Sequence, residues 1–502
     1  MEKQFELSNK SIYAYFYENT VKFPDRTAYM SETESYTWKE AFRMFNYLVK
    51  RFKDWGMGKG KMVAIRSPRT IDAPFVILAA VSTESTITIC DHARTAADFL
   101  SNCTAPLKPD FIIGQNYYGV WTVHTKEGKI HTFDKKDGEN FSEELIAPMT
   151  CAKEDQNYIF FTSGSTGKTK AAILSQYSLD NNRYQLITNG DTHEGKTVMI
   201  MPIHHIFGVA IMQANMSVGA CVMFPKTRDP EYVLDFIEKY KCNRIDTVPT
   251  YYFMLIDAQK RKARDISSLK HGVIAGGAYS KQQFLYIEEN LGLTISPSYG
   301  MTETSTVVCF TAVQESLEVR STGLGKFIPH VEGVLKSLDG KLIHETGVTG
   351  EICVRGASLM IGYIEPNGEV RLPLDKDGYF HTGDLAYRDE EGFLYMTCRC
   401  KDIIIRVGEN ISPLRIQEKI AEMEGVKNVC VIGVPSEKYG EEVGACVQAK
   451  GVTEEEIKDF LKDFFNKSEI PSKFLFVEEI PALAIGKPDK QTIQKMFAKK
   501  YK

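Results

Sequence analysis

Residues 162–170 read TSGSTGKTK, and this short stretch guides the interpretation of the whole chain. It combines hydroxyl side chains with Gly164 and Gly167, and with Lys168 and Lys170. Glycines let backbone N–H groups approach an anion, hydroxyls donate further hydrogen bonds, and lysines supply positive charge. The stretch therefore predicts a loop that binds polyphosphate.

The residues around this loop distinguish it from a Walker A loop. A Walker A loop needs four residues between its first glycine and the Gly-Lys pair, whereas only two separate Gly164 from Gly167. The flanking segments YIFF (158–161) and AAILS (171–175) are strand-like. The loop thus leads into a strand and not into a helix N-terminus of the kind that binds phosphate. A flexible polar hairpin without a ligand is the alternative interpretation.

The bulk properties exclude several classes of protein. The chain has 502 residues and a net charge of −4, so we expect several domains and no nucleic-acid partner. We expect no membrane span, because the most apolar early run (75–81) is too short, and no signal peptide. The 11 cysteines lack the spacing of a disulfide framework, which favours a reduced, cytoplasmic protein. Cys398 and Cys400 could bind a metal, but zinc sites usually need a second such pair.

Helical and strand patterns alternate through most of the chain. Thr37 and Glu40 form a capping box that predicts a helix over 37–55. Strands are predicted at 61–66, 243–248 and 293–297, and helices at 229–240 and 280–291. This alternation favours an α/β fold with mainly parallel sheets.

The last hundred residues form a separate predicted unit, with strands at 403–406 and 428–434 and a helix that Thr453 opens. We therefore expect a large N-terminal domain of mixed α/β sheets (1–398), a hinge (399–402), and a small mobile α+β C-terminal domain (403–502).

The stretch TSGSTGKTK closely resembles the phosphate loop of the adenylate-forming superfamily, which includes acyl-CoA synthetases, peptide-synthetase adenylation domains and firefly luciferase. Seven further segments resemble family motifs in the expected order: MPIHHIFG (201–208), AGGA (275–278), SYGMTET (298–304), GEICVRGASLMIGY (350–363), HTGDLA (381–386), CRCKDIIIRVGENISP (398–413) and AIGKPDK (484–490). The resemblance covers 11–490 and is weakest before residue 150, where segment 81–95 lacks the family's Gly-Ala-x-x-x-Pro pattern.

The resemblance implies ATP-dependent formation of an acyl-adenylate with release of pyrophosphate, followed by transfer of the acyl group to CoA. The catalytic residues it implies are Lys487, His205 and Thr302, with Glu303 as the Mg²⁺ ligand and Lys401 at the hinge. The implied ATP- or AMP-binding residues are Thr162, Ser163, Gly164, Ser165, Thr166, Gly167, Lys168, Lys170, Gly276, Gly277, Ala278, Ser298, Tyr299, Gly300, Met301, Thr302, Asp384, Arg399 and Lys487. The implied acyl pocket contains His205, Phe207, Gly276, Gly277 and Met301, and the implied CoA contacts are Gly408, Glu409 and Asn410.

Side-chain chemistry agrees with several of these roles. The Asp384 carboxylate can accept hydrogen bonds from both ribose hydroxyls, and the Glu303 carboxylate suits a metal that also binds phosphate. Each residue alone would have a plainer explanation as a turn, a helix start or an exposed lysine. Segment 350–363 is interpreted as mostly structural. Two departures from the family pattern are Cys398, where Gly or Asp is usual, and Val407, where Gly is common.

The acceptor and the acid are less well defined. Segments 407–413 and 431–447 resemble acyl-CoA ligases more than adenylation domains, so we expect CoA as acceptor and keep a carrier-protein thiol as the alternative. A luciferase-like oxygenase is disfavoured, and a nucleotide sensor without catalysis would require loss of Lys487 or Glu303. Glu303 is the only charged residue in the candidate pocket segments (206–210, 249–254, 274–278, 301–306). A fatty or aryl acid is therefore favoured over an amino acid. We expect a monomer or homodimer.

Overall fold

A computed structural model describes residues 6–116, 119–163, 169–182, 194–407, 409–481 and 488–501. Its α-helices are Ile12–Lys22, Trp38–Asp54, Ala73–Ser82, Ala96–Ser101, Gln176–Asp180, Ile206–Val218, Pro230–Tyr240, Pro249–Arg261, Lys281–Leu291, Leu317–Thr322, Pro413–Ala421, Glu454–Leu461 and Lys490–Lys500. Short 3₁₀ helices occupy Lys135–Gly138, Thr302–Thr304 and Cys400–Asp402.

The strands, in chain order, are β1 Thr27–Met30, β2 Ser35–Thr37, β3 Met62–Arg66, β4 Thr86–Cys90, β5 Phe111–Gln115, β6 Trp121–Thr125, β7 Ile130–Phe133, β8 Tyr158–Ser163, β9 Thr169–Leu174, β10 Lys196–Val198, β11 Cys221–Met223, β12 Arg244–Thr247, β13 His271–Ile274, β14 Thr294–Tyr299, β15 Cys309–Phe310, β16 Lys326–Phe327, β17 Val331–Lys336, β18 Leu342–Ile343, β19 Gly350–Gly356, β20 Gly362–Ile364, β21 Val370–Arg371, β22 Phe380–Arg388, β23 Leu394–Arg399, β24 Ile404–Arg406, β25 Glu409–Ile411, β26 Val426–Ser436, β27 Gly440–Ala449 and β28 Lys473–Phe476.

Two nine-stranded sheets form the bulk of the large unit. The first has the order β16-β15-β14-β13-β12-β10-β11-β1-β2, and its strands from β14 to β1 are parallel. The second has the order β21-β20-β9-β8-β4-β3-β5-β6-β7, with a parallel centre from β8 to β5. One hydrophobic core contains residues of both sheets and of the helices near the N-terminus. The predicted α/β class is confirmed.

The early helix shows how local sequence builds this core. The structure has the predicted Thr37–Glu40 capping box at the start of Trp38–Asp54. One face of this helix is buried, including Phe42, Phe45 and Phe52. Helix Ala73–Ser82 is buried on every side. Within the described ranges, no helix is both long and apolar enough to cross a membrane.

A five-stranded antiparallel sheet, β18-β17-β19-β22-β23, follows the two large sheets. The chain then enters a smaller sheet of the order β25-β24-β27-β26, with β28 paired to β27. This last sheet has two hydrophobic clusters of its own, one on each side of strands β26 and β27. The Ser412 hydroxyl donates to the Thr397 carbonyl at 2.6 Å, and Lys490 pairs with Asp402 at 2.6 Å. These contacts connect the smaller sheet to the end of β23.

All 11 cysteines are free thiols. Ten of them are buried, and only Cys400, in the 3₁₀ helix Cys400–Asp402, is half-buried. No disulfide therefore takes part in holding the fold together.

Candidate active site

Four loops meet at one edge of the first large sheet. Strands β10, β12, β13 and β14 are parallel neighbours, so their carboxyl ends lie side by side. The segments that follow β10, β12 and β13 contain His205, Pro249 and Gly276 in turn, and Tyr299 is the last residue of β14. Ligands of open α/β sheets bind at this edge. Parallel strand order thus brings together predicted site residues that lie far apart in the sequence.

Glycines let the backbone turn tightly at this edge. Gly276 has φ +73°, a left-handed conformation that side chains rarely adopt. A Cβ on Gly277 would lie 3.2 Å from Cδ of Pro249, and one on Gly300 would lie 1.5 Å from the Thr306 carbonyl oxygen. Gly300 therefore admits no side chain without a change in the backbone. Ala278, the last residue of the AGGA segment, is exposed.

Tyr299 comes together with Asp384 and Arg399, although β14 belongs to a different sheet from β22 and β23. The Tyr299 hydroxyl donates to Oδ2 of Asp384 at 2.8 Å, and Nε of Arg399 lies 3.0 Å from Oδ1. Asp384 and Arg399 face each other in the register of β22 and β23. Burial, and then the Asp384 carboxylate, raise the pKa of Tyr299 well above its usual range, so its hydroxyl stays protonated. The contacts thus bring together a carboxylate, an arginine and an aromatic ring, the groups expected at a nucleoside site. Ser298 precedes Tyr299 on β14 and is half-buried.

The predicted phosphate loop connects two paired strands. Thr162 faces Lys170 in the antiparallel pair β8 and β9, and Ser163 faces Thr169. The backbone N–H of Thr169 donates to the Asn102 carbonyl at 3.0 Å, which holds the returning strand in place. Residues 164–168, which include Gly164, Ser165, Thr166, Gly167 and Lys168, lie outside the described residues. The predicted strand–loop–strand arrangement is present on both sides of them.

Glu303 lies in the 3₁₀ helix Thr302–Thr304, which packs against both strands of this hairpin. Glu303 is 5% exposed, and its Oε1 accepts a hydrogen bond from the Tyr363 hydroxyl at 2.5 Å. Nζ of Lys170 lies 4.8 Å from the centre of the Tyr363 ring. A buried carboxylate beside the strands that flank the predicted phosphate loop fits the predicted role of Glu303 as a magnesium ligand. Sequence reasoning missed Tyr363, because segment 350–363 was interpreted as mostly structural.

Asn182 is a second residue that the sequence did not single out. Its side-chain amide donates to the carbonyls of Thr304 and Val307 at 3.3 and 2.8 Å. Its Oδ1 accepts from the backbone N–H of Val307 at 2.7 Å. Asn182 thereby holds the chain directly after Glu303. No local pattern around an isolated asparagine would have predicted this role.

The predicted acyl-pocket residues lie on the same edge of the sheet. His205 is the N-cap of Ile206–Val218, and its ring lies 4.4 Å from that of His204. Burial, and then the neighbouring His205, lower the pKa of His204 to about 4. Phe207 and Ala275, which directly precedes Gly276, pack against the same buried apolar cluster. Met301 is half-buried against the main core, so the surroundings are mostly apolar.

The remaining predicted residues lie around the start of the smaller sheet. Lys401 is exposed in Cys400–Asp402, and Glu409 and Asn410 are exposed on β25. Gly408 and Lys487 lie outside the described residues.

Comparison with known families gives two matches. Residues 16–364 match the AMP-binding enzyme family, and residues 415–487 match the AMP-binding enzyme C-terminal domain. The first match alone covers more than half of the chain. The two matches leave residues 365–414 between them.

Two relatives of similar sequence are named as an acyl-CoA synthetase and an acyl-CoA ligase. The chain is 33% identical over 342 residues to the putative acyl-CoA synthetase YngI of Bacillus subtilis, which covers 66% of this chain and 62% of that protein. It is 36% identical over 362 residues to the acyl-CoA ligase sidI of Aspergillus fumigatus, which covers 67% of this chain and 60% of that protein. The matched regions thus span less than two thirds of these relatives.

Among solved structures, the ATP-bound crystal structure of MatB from Rhodopseudomonas palustris has a TM-score of 0.83 and 22% identity, covering 99% of this chain and 100% of that one. At this identity the likeness establishes the fold and nothing further.

Proposed function

Because the chain belongs to the AMP-binding enzyme family, we propose that it is an AMP-forming acid–thiol ligase that activates a carboxylic acid with ATP. The observation that carries the proposal is the pairing of Tyr299, Asp384 and Arg399 at the same edge as the buried Glu303. Tyr299, Asp384 and Arg399 suit a nucleoside. Glu303 lies beside the strands of the loop that suits the phosphates of that nucleoside. The names of the two relatives support CoA as the thiol.

In the first step, a carboxylate oxygen of the acid attacks the α-phosphorus of ATP. An O–P bond forms, the bond to the β-phosphate oxygen breaks, and pyrophosphate leaves. Two anions must approach each other, so positive charge and fixed dipoles dominate the catalysis. Lys487 bridges the carboxylate and the α-phosphate, while Thr302 and the residues of 162–170 donate to phosphate oxygens. Glu303 would hold Mg²⁺, which neutralises phosphate charge when bound.

In the second step, the thiol sulfur attacks the carbonyl carbon of the acyl-adenylate. A C–S bond forms, the bond to the AMP oxygen breaks, and the thiol proton passes to solvent. We propose that the small domain (403–502) rotates relative to the large domain (1–398) at the hinge (399–402) between the two steps. Such a rotation about Lys401 removes Lys487 from the site and brings Glu409 and Asn410 toward CoA.

The surroundings of the acyl pocket support a fatty or aryl acid. Phe207 and Met301 are apolar, and His205 is the N-cap of the helix that contains Phe207. Ala275 and the following glycines leave room for a flat or linear chain beside the backbone. Within the candidate pocket segments Glu303 is the only charged residue, and we assign it to the metal. These segments therefore offer no second acid to pair with the α-amino group of an amino acid.

The test is ATP–pyrophosphate exchange with a panel of fatty, aryl and amino acids, repeated with CoA to detect the thioester. We expect exchange with at least one fatty or aryl acid, and thioester when CoA is added. Exchange without thioester would favour a carrier-protein thiol as the acceptor. An absence of exchange with every acid would refute the enzyme proposal.

A further inference from the structure

Three side chains capable of binding a metal share one face of the five-stranded sheet. Glu351 and Cys353 are alternate residues of β19 and so point to the same side. His381, on β22, is the register partner of Cys353. The pairing shifts register between Glu351 and Cys353, and the Glu351 carboxylate contacts the imidazole as well. One ligand atom from each residue lies within 4.8 Å of the other two.

The contacts converge on one nitrogen of the histidine. Oε2 of Glu351 lies 2.8 Å from Nδ1 of His381, and Sγ of Cys353 lies 3.5 Å from the same nitrogen. In a tetrahedral zinc site with ordinary bond lengths, neighbouring ligand atoms are separated by roughly 3.3 to 3.7 Å. The sulfur already meets this spacing, and the carboxylate would move outward by about half an ångström to meet it.

The surrounding residues orient these ligands. The other ring nitrogen of His381, Nε2, lies 3.1 Å from Oδ2 of Asp375, and that carboxylate is paired with the buried Lys336. Histidines that bind metals usually make such a contact from the second nitrogen to a carboxylate. The second oxygen of Glu351 accepts from the backbone N–H of Gly383 at 2.9 Å. These contacts engage Nε2 of His381 and Oε1 of Glu351. Nδ1 of His381 and Oε2 of Glu351 are left on the side of Cys353.

We propose that Glu351, Cys353 and His381 form a binding site for one Zn²⁺ ion per chain, in addition to the proposed ATP site. Thiolate, imidazole and carboxylate are the ligands that zinc takes in proteins, and three protein ligands leave one position for water. The side chain of His381 is 37% exposed, which gives the ion a path from solvent.

A metal takes the sulfur of Cys353 as a thiolate and Nδ1 of His381 as a free lone pair, so any proton on either atom passes to the buffer when the ion binds. A divalent cation supplies the charge that stabilises the thiolate.

Cobalt provides a direct test, because a thiolate bound to Co²⁺ gives a charge-transfer band in the near ultraviolet. The metal-free full-length protein is titrated with Co²⁺, and Zn²⁺ is then added in competition. We expect the band to saturate at one cobalt per chain and to disappear with zinc. Cys353→Ser should abolish the band, and Cys151→Ser, which alters a cysteine elsewhere, should retain it.

Two further variants separate a metal site from a histidine–carboxylate ion pair that only braces the two strands. Asp375→Asn should keep the band but weaken binding about 10- to 100-fold, and His381→Gln should weaken binding at least as much. Thermal unfolding without metal checks that each variant is folded. Absence of the band in the folded wild-type protein, or its persistence in Cys353→Ser, would overturn the proposal.

Discussion

The hydrogen bond from Tyr363 to Glu303 provides the sharpest test of the active site. Glu303 is 5% exposed, so little water can replace a donor that is removed. Burial, and then Glu303 itself, raise the pKa of Tyr363 well above its usual range, so its hydroxyl is a donor at every pH of interest. Tyr363→Phe deletes this donor and keeps the ring that lies under Lys170.

The size of the effect follows from the geometry. The bond is 2.5 Å long and its acceptor is a carboxylate. Hydrogen bonds to charged groups contribute about 1.5–3 kcal/mol. If Tyr363 positions Glu303 toward Mg²⁺ and the phosphates, the loss appears in the transition state. It should then lower kcat/KM for ATP roughly 10- to 100-fold.

The assay is ATP–pyrophosphate exchange at varied Mg²⁺ and varied acid concentration. We expect Tyr363→Phe to shift the Mg²⁺ dependence to higher concentration and to leave KM for the acid unchanged. Tyr379→Phe is the matched control, because Tyr379 donates to Oε1 of Glu332 at 2.8 Å outside the site. An unchanged Mg²⁺ dependence in Tyr363→Phe, with normal thermal stability, would refute the positioning role.

Three other changes give independent tests. Val407 is 73% exposed and has φ +52°, a conformation that asparagine adopts more easily than valine. Val407→Asn should therefore raise the free energy of unfolding by about 1 kcal/mol, as measured by chemical unfolding. A lower free energy of unfolding would contradict this. The pKa of Glu418 is raised to about 7, first by burial of the carboxyl group and then by the nearby Glu422. The residue as a whole is nevertheless exposed. The folded state thus binds a proton that the unfolded chain releases above about pH 4.3, and stability falls between these values. Glu418→Gln should raise the unfolding temperature at about pH 8 and leave it unchanged near pH 4, and an equal change at both would refute the titration. Lys487→Ala should abolish adenylation yet largely spare thioester formation from supplied acyl-adenylate, and equal loss of both would contradict the separate roles of the two steps.

Much of the framework could be predicted from local sequence. Capping boxes at Thr37 and Thr453 mark the starts of two helices that the structure contains. Alternating helices and strands predicted parallel sheets, and parallel order places the segments after β13 and β14 side by side. These features depend on residues a few positions apart, so the chemistry of a short segment is enough to indicate them.

The contacts that shape the site could not be predicted in the same way. Tyr363 and Glu303 are 60 residues apart, and Asn182 reaches residues more than 120 positions away. Such pairs depend on the order and register of strands in a sheet, which neither periodicity nor motif spacing specifies. The cluster of Cys353 and His381 is similar, since it arises from cross-strand register. Cys398 and Cys400, which the sequence suggested as possible metal ligands, are not members of it.

The distribution of the cysteines makes the protein convenient to label. Cys400 is the only half-buried thiol, and the other ten are buried. A bulky maleimide dye applied to the native protein should therefore attach first at Cys400, without any cysteine having to be removed beforehand. That position adjoins Lys401 in the segment that leads into the smaller sheet. The native chain thus carries its own attachment point for a fluorophore that would report on rearrangement of this segment during turnover.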